Sequence, residues 1–416
     1  MRLILNLLGI AAVLGLLWLL SWNRKAINWK IVLKAVIVQF VLAVIIIKIP
    51  LGRMLISVLS DGVTAVVNCG RDGLSFVFGD LADSSKMSVF FVQSLGGVVF
   101  VSALVELLYY VGALGFVVKK LGKAVGKLMG TTAVESFVAV ANMFLGQTSS
   151  PVLVSKYIDK MTDSEIMVIL VSGMGSMEVS ILAGYAACGI PMEYLLIASA
   201  LVPVGSILVA KMILPETQQA LSIDEVKMDN KGSNSNVIDA VVSGASTGMS
   251  MIVGIASSLI AVLGLVALIN LVLGFIRLDL ETIFSYVFAP FGLLMGLDAE
   301  NILQEGMLLG QKLALNEFVA FGNLGTFIGE LDPRFAMIAS ISIAGFANVS
   351  SMGICVGGIG VLCPEKRGTL SRLVLKAMLG GYVSQYPECD DLRDCRVVLR
   401  RCRRWVNTDT AGSSRL

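Results

Sequence analysis

The chain has 416 residues, 56% of them hydrophobic and 15% charged, with a mean hydropathy of +0.84, a composition that excludes a soluble domain of this length and places the protein in a bilayer. A formal charge of +2 without a basic stripe excludes a nucleic-acid partner. The absence of histidine removes Ser-His-Asp and Cys-His catalysis, so no intramembrane enzyme is expected, and seven cysteines without a Cys-x-x-Cys pair argue against a disulfide framework.

The first apolar run, Leu3 to Trp22, is too long for a signal-peptide core, lacks an Ala-x-Ala-like cleavage site and is followed by Asn23-Arg24-Lys25, so it reads as a retained helix. A second span runs from about Ile31 to Ile49. Arg24, Lys25 and Lys30 put the loop between them in the cytoplasm and the N-terminus outside. Residues 50 to 87 contain Gly, Asp and Asn and read as interfacial or short helices on the outer side. A long span from Val89 to Val118 returns inward and ends at Lys119, Lys120, Lys123 and Lys127, the pattern of a cytoplasmic interfacial amphipathic helix.

Residues 134 to 156 are apolar but interrupted by Asn142, Gly146, Gln147, Thr148 and Pro151. Broken backbone in a membrane must be covered by protein or line a water-filled cavity, so this segment is expected to be a re-entrant hairpin. Ordinary spans follow at about Ile166 to Ala187 and Tyr194 to Ile213, and the hydrophilic stretch 215–236 divides the chain into halves.

The second half repeats the first. At a constant offset of 170, Gln147 aligns with Glu317, Met167 with Met337, Ser172 with Ser342, Gly175 with Gly345, Glu178 with Asn348, Val179 with Val349 and Ser180 with Ser350. The hairpin tip and the kink roughly 30 residues later coincide under one offset, and paired interrupted segments of this kind point to the binding site of a secondary transporter. The expected fold is an all-α polytopic membrane protein with discontinuous transmembrane helices.

Polar groups at bilayer depth cost at least about 2.5 kcal/mol on insertion scales and mark a substrate or ion path. Gln147 and Thr148 can hydrogen-bond a heterocyclic base, or satisfy broken backbone at the tip. Glu317 can accept two sugar hydroxyls, or pair with Lys312. Asn348 and Ser351 are i, i+3 neighbours. Glu178 can bind substrate, bind a cation or carry a proton. Asn142 and Ser176 offer neutral oxygens for a small cation, or for helix–helix hydrogen bonds.

At these residues the chain resembles the concentrative nucleoside transporter family of bacterial type. The motifs are Glu135-Ser136-Phe137, Gly146-Gln147-Thr148, Leu315-Asn316-Glu317-Phe318-Val319-Ala320, Gly345-Phe346-Ala347-Asn348 with Ser350-Ser351, and Lys366-Arg367-Gly368. The resemblance spans about residues 1 to 380 and implies eight spanning helices, inverted repeats with two opposed re-entrant hairpins, a homotrimer, and elevator-like movement of a transport domain against a scaffold. It divides the chain into scaffold helices (1–118), a first transport repeat (119–214), a cytoplasmic linker (215–236), a scaffold helix (237–290), a second transport repeat (291–386) and a divergent Arg-rich tail (387–416). By motif, Gln147 and Thr148 would contact the base, Glu317, Asn348 and Ser351 the ribose, and Phe346 and Ile181 the walls. Asn142 and Ser176 would hold sodium with the carbonyls of Leu145 and Met177.

Two departures stand out. Ser149 occupies a position usually acidic in the family, whereas Glu178 replaces a small residue, which suggests a relocated acceptor in the substrate site. The last span, starting near Leu373, meets Gln385, Pro387, Glu388 and Asp390 after about a dozen residues, short of the ~20 needed to cross. The function expected is nucleoside import across the cytoplasmic membrane by cation symport, with sodium preferred over a proton and no other cofactor. A passive channel would need a continuous polar pore.

Overall fold

The computed structural model describes residues 2–83, 85–86, 89–218, 234–295, 297 and 299–385, and among these it is helical without strands. Residues 219–233 of the expected linker, and the tail from 386 onward, lie outside the described residues.

Helix α1 (Arg2–Leu20) is closed by Arg24, whose guanidinium donates to the carbonyls of Trp18 and Leu19 and covers the Trp18 ring at 4.5 Å. Helix α2 (Trp29–Lys48) starts at Asn28, whose side chain accepts from the Lys30 N–H. Proline at the first turn then begins α3 (Pro50–Phe78). This is one 29-residue amphipathic helix; of the two readings expected, interfacial or short helices, the short pieces do not hold. Asp61, Asn68, Arg71 and Asp72 all lie on its exposed face, so none of them has to interrupt it.

A π-helical turn, Phe91–Leu95, leads into α4 (Gly97–Tyr110). The expected span to Val118 therefore stops early, at the bend Val111–Gly112, and α5 (Ala113–Met129) sets off with Lys119, Lys120, Lys123 and Lys127 exposed and Leu114, Val118, Gly122 and Met129 buried.

Next come α6 (Ala133–Ser149), a 3₁₀ turn (Ser150–Val154) and α7 (Ser155–Ile158). A straight 26-residue helix over Ala133–Ile158 would be about 39 Å long. Its two ends instead meet. Thr132 and Thr162 each form a capping box, with Glu135 and Glu165 respectively, and the Thr132 hydroxyl donates to Glu165 Oε1 at 2.7 Å. The segment is a hairpin whose tip lies at Gly146. Its base is tied to the linker end of α10 (Met192–Ile213) by Lys211–Glu135 at 2.7 Å and by Ser164 donating to the Leu214 carbonyl.

Helices α8 (Asp163–Gly175) and α9 (Val179–Ala187) are the two pieces of one span interrupted at Ser176–Glu178. Beyond the linker run α11 (Val237–Leu273) and α12 (Leu280–Leu294), which packs along α13 (Ala299–Ala314). The expected boundary at residue 290 falls inside α12. Helix α14 (Glu317–Phe327) turns back at Leu315–Asn316, and Asn323 donates across the turn to Gln311 Oε1 at 3.3 Å. This second hairpin has its base at the opposite end of α10, where Gly325 meets Gly189 and the Tyr194 hydroxyl reaches the Pro333 carbonyl. The hairpins thus enter from opposite ends, as inverted repeats require.

Helices α15 (Pro333–Ser342) and α16 (Val349–Leu362) form the second interrupted span, and α17 (Arg367–Val383) follows. The last helix begins six residues before Leu373 and ends beside the first break, with the Gln385 amide donating to the Gly175 carbonyl. The repeat is physical: Phe346 N–H donates to the Ser176 carbonyl at 3.2 Å, and these residues are partners at the offset of 170. Gly345 beside it has φ 87°, and any side chain there would collide with the Gly175 carbonyl. A pseudo-two-fold axis passes between the two breaks. Around it α8 and α10 form the most enclosed spans, while α11 is packed on α4 and leaves a broad apolar surface exposed.

Candidate functional site

Each break presents polar groups because the helix around it cannot. At the first tip Gly146 adopts φ 72°, ψ −179°, a conformation essentially restricted to glycine, and a β-carbon there would lie 2.7 Å from Glu178 Oε2. The bend turns the Gln147 side chain inward. Its amide donates to Ser351 Oγ at 3.4 Å and its carbonyl accepts from the Cys355 thiol at 3.2 Å.

At the second tip Asn316 caps α14 by accepting from Val319 N–H at 2.9 Å, which puts Glu317 in the first turn, where a helix N-terminus favours a carboxylate. Glu317 is buried. Its Oε1 accepts from the Tyr185 hydroxyl at 3.1 Å and its Oε2 from Asn348 Nδ2 at 3.0 Å. Asn348 in turn caps α16, its Oδ1 accepting from Ser351 N–H at 2.9 Å. Both ends of the Asn348 amide are therefore committed, one to the helix and one to the carboxylate.

A cavity of about 360 Å³ lies between the tips and the breaks, within the size range of small-molecule sites. The eight residues expected to meet substrate, Gln147, Thr148, Glu178, Ile181, Glu317, Phe346, Asn348 and Ser351, all line it. Glu178 precedes α9 and is partly exposed to the cavity, with Oε1 accepting from Ser180 Oγ at 2.7 Å. Sequence reasoning missed a further wall: Met251, Gly254, Ile255 and Ser258 from α11. It also missed Tyr185 and Cys355. These two are again 170 residues apart, and each donates to the opposite repeat's hairpin tip, so extending the repeat alignment to every polar residue of the spans would have found them.

The four residues expected at a cation are buried together near the first break, with Leu145 just before the Gly146 bend and Met177 in the turn itself. Asn142 Nδ2 donates to Ser172 Oγ at 2.8 Å, and the Ser172 hydroxyl donates to the Val168 carbonyl at 2.6 Å. Asn142 Oδ1 is buried with no protein partner. An orphaned buried acceptor beside a helix C-terminus suits a small cation. The Ser176 hydroxyl donates to the Gly173 carbonyl at 3.2 Å and keeps its acceptor lone pairs. Ser172, which orients Asn142, was not anticipated as part of this cluster. Lys312 donates to the carbonyls of Ser342 and Ala344.

Comparison with known proteins places the chain. Models described as Na+ dependent nucleoside transporter N-terminus, nucleoside recognition, and Na+ dependent nucleoside transporter C-terminus match residues 8–81, 91–192 and 194–388. An uncharacterized transporter of Haemophilus influenzae is 38% identical over 92% of this chain and 95% of its own length. The nucleoside permease NupC of Helicobacter pylori is 33% identical over the same shares, 92% and 95%. Human solute carrier family 28 member 3 is 31% identical over 90% of this chain and 57% of its own. Among solved structures, CNTnw in an inward-facing substrate-bound state superposes with a TM-score of 0.90 at 33% identity, covering 94% of this chain and 99% of that one. An outward-facing double variant of CNTnw gives 0.91 at 33%, covering 94% and 98%.

Proposed function

The chain is a multi-pass membrane protein of the Na+ dependent nucleoside transporter family, and from that premise we propose that it imports nucleosides across the cytoplasmic membrane by symport with a cation, sodium by preference. The observation that carries the reading is Glu317: a buried carboxylate at a hairpin tip, held by Tyr185 and Asn348 and turned toward a cavity of nucleoside size. A carboxylate and an amide side by side suit the vicinal hydroxyls of ribose, with Ser351 beside them. Across the cavity Gln147 and Thr148 offer the donor–acceptor pairs a neutral base needs. Phe346 and Ile181 supply apolar walls, and Glu178 an acceptor for N–H groups of the base. Asn142 and Ser176, with carbonyls of Leu145 and Met177, would bind the cation as co-substrate.

In this reading the scaffold expected over residues 1–118 and 237–290 closes at the helix ends, comprising α1–α4 and α11, and is assembled as a homotrimer. Helices α5–α10 and α12–α17, expected as residues 119–214 and 291–386, form a transport domain that moves as an elevator, with α11 as the wall it slides against. One sodium ion entering through 100 mV releases about 2.3 kcal/mol, equivalent to nearly fiftyfold accumulation.

Proteoliposomes test this with imposed gradients and labelled nucleosides. Sodium-driven accumulation, with exchange of labelled for unlabelled substrate, is expected; uptake without counterflow would indicate a channel. Proton coupling is the second reading, and Glu178 is the observation behind it. Glu178→Gln should raise the KM a few-fold and leave the driving ion unchanged. A variant that loses pH-gradient-driven uptake but retains counterflow would establish the proton reading.

A further inference from the structure

The cation pocket at Asn142 has a repeat-related counterpart, and that counterpart holds a side chain with a charge of its own. At the offset of 170, Asn142 corresponds to Lys312, Ser172 to Ser342 and Met174 to Ala344. Lys312 is fully buried on α13, and its ammonium donates to the carbonyls of Ser342 at 2.9 Å and Ala344 at 2.6 Å. The ring of Tyr382 lies 5.3 Å from Nζ, close enough to add a cation–π contact. Ser342 also donates its hydroxyl to the buried Glu305, so one residue contacts both the ammonium and a buried carboxyl group.

The reason for the difference lies at the pseudo-two-fold axis. In the first repeat α8 closes normally, with Ser176 N–H donating to the Ser172 carbonyl at 3.1 Å. In the second repeat the corresponding N–H, that of Phe346, is diverted across the axis to the Ser176 carbonyl. That diversion deprives the Ser342 carbonyl of its helical partner. A helix C-terminus with orphaned carbonyls is a cation site, and in a buried setting it must be filled.

We infer that Lys312 is a tethered cation: its ammonium occupies the repeat-related twin of the exchangeable ion site, holding the α15–α16 break open so that Phe346 and Asn348 face the cavity. Only the Asn142 twin is left to exchange an ion with solution. The inference rests on reading Asn142 as part of the coupling site, but the role of the ammonium can be tested apart from it.

Lys312→Ala, purified and monodisperse in detergent, is expected to bind nucleoside at least about tenfold more weakly than the parent, since buried hydrogen bonds from a charged donor are lost. Millimolar n-butylammonium chloride should restore binding, while n-butanol, of like size but uncharged, should not. Equal rescue by the alcohol, or parental affinity in Lys312→Met, which keeps the stem without the charge, would reduce Lys312 to packing and overturn the inference. The unmodified chain supplies a second arm that no folding defect can obscure. Binding titrated with the driving cation should show a Hill slope of about one, because of the two twin sites only one exchanges; a slope near two would overturn the proposal. Uptake indifferent to sodium and protons alike would defeat the symport reading, and the contrast between amine and alcohol would still decide the role of Lys312.

Discussion

The two repeats share a skeleton and differ in what they hang on it. At the hairpin tips Gln147 stands opposite Glu317, and at the helix breaks Glu178 stands opposite Asn348, so amide and carboxylate are exchanged across the axis. The second pair is already bonded, Asn348 to Glu317, whereas Gln147 and Glu178 each bond elsewhere and leave the space between them open. Away from the cavity, Asn142 corresponds to Lys312 at the same offset. Pseudo-symmetry places the groups, and substitution on that frame makes the two sides chemically distinct, as the proposed nucleoside ligand, with a flat base at one end and hydroxyls at the other, would require.

The largest effect should come from removing the charge on the second side. Glu317→Gln is expected to lower nucleoside affinity by at least about tenfold, because charge-assisted bonds are worth roughly 1.5–3 kcal/mol each. Equilibrium binding to the folded variant measures it, and unchanged affinity would remove Glu317 from the ribose site. Asn348→Ala should follow, weakening ribonucleosides about five- to tenfold but the free nucleobase much less. Equal losses for both ligands would move Asn348 to the base side and erase the contrast between the repeats.

Tyr185→Phe deletes one donor to Glu317 and should cost roughly three- to tenfold in affinity, again sparing the nucleobase. Its twin gives the smallest change. Cys355→Ser keeps a donor for Gln147 and should bind within about twofold of the parent; a larger drop would mean that the thiol packs against substrate instead of orienting the amide.

What the sequence made legible was whatever is costly to place in a bilayer. Gln147, Glu317 and Asn348 stand out because an amide or carboxylate in an apolar run has few reasons to exist. The offset of 170 joined them into a site, and the Phe346–Ser176 contact shows that it reflects a real axis. Tyr185 and Ser172 were harder to see, since a hydroxyl inside a span is usually a local helix–helix bond. Met251, Ile255 and Ser258 carried no signal: small polar residues are scattered along the mostly apolar α11, and which of its faces meets the cavity is decided by packing on α4. The unbroken α3 and the early end of α4 were misread for the opposite reason, because polar residues and glycines were weighed without knowing which face or bend they served.

The hydrogen bond between Phe346 and Ser176 also bears on how the molecule is made. Its partners are separated by 170 residues, which at 5–20 residues per second is roughly 10 to 30 seconds of translation. During that interval the nascent first repeat is already in the membrane with an unsatisfied turn at its centre, and the Gly175 carbonyl waits longer still, until Gln385 arrives. Neither half can complete its own turn. The bonds that cross the axis can therefore form only after the ribosome has delivered both repeats, and a first repeat expressed alone should be a target for membrane quality control instead of a smaller transporter.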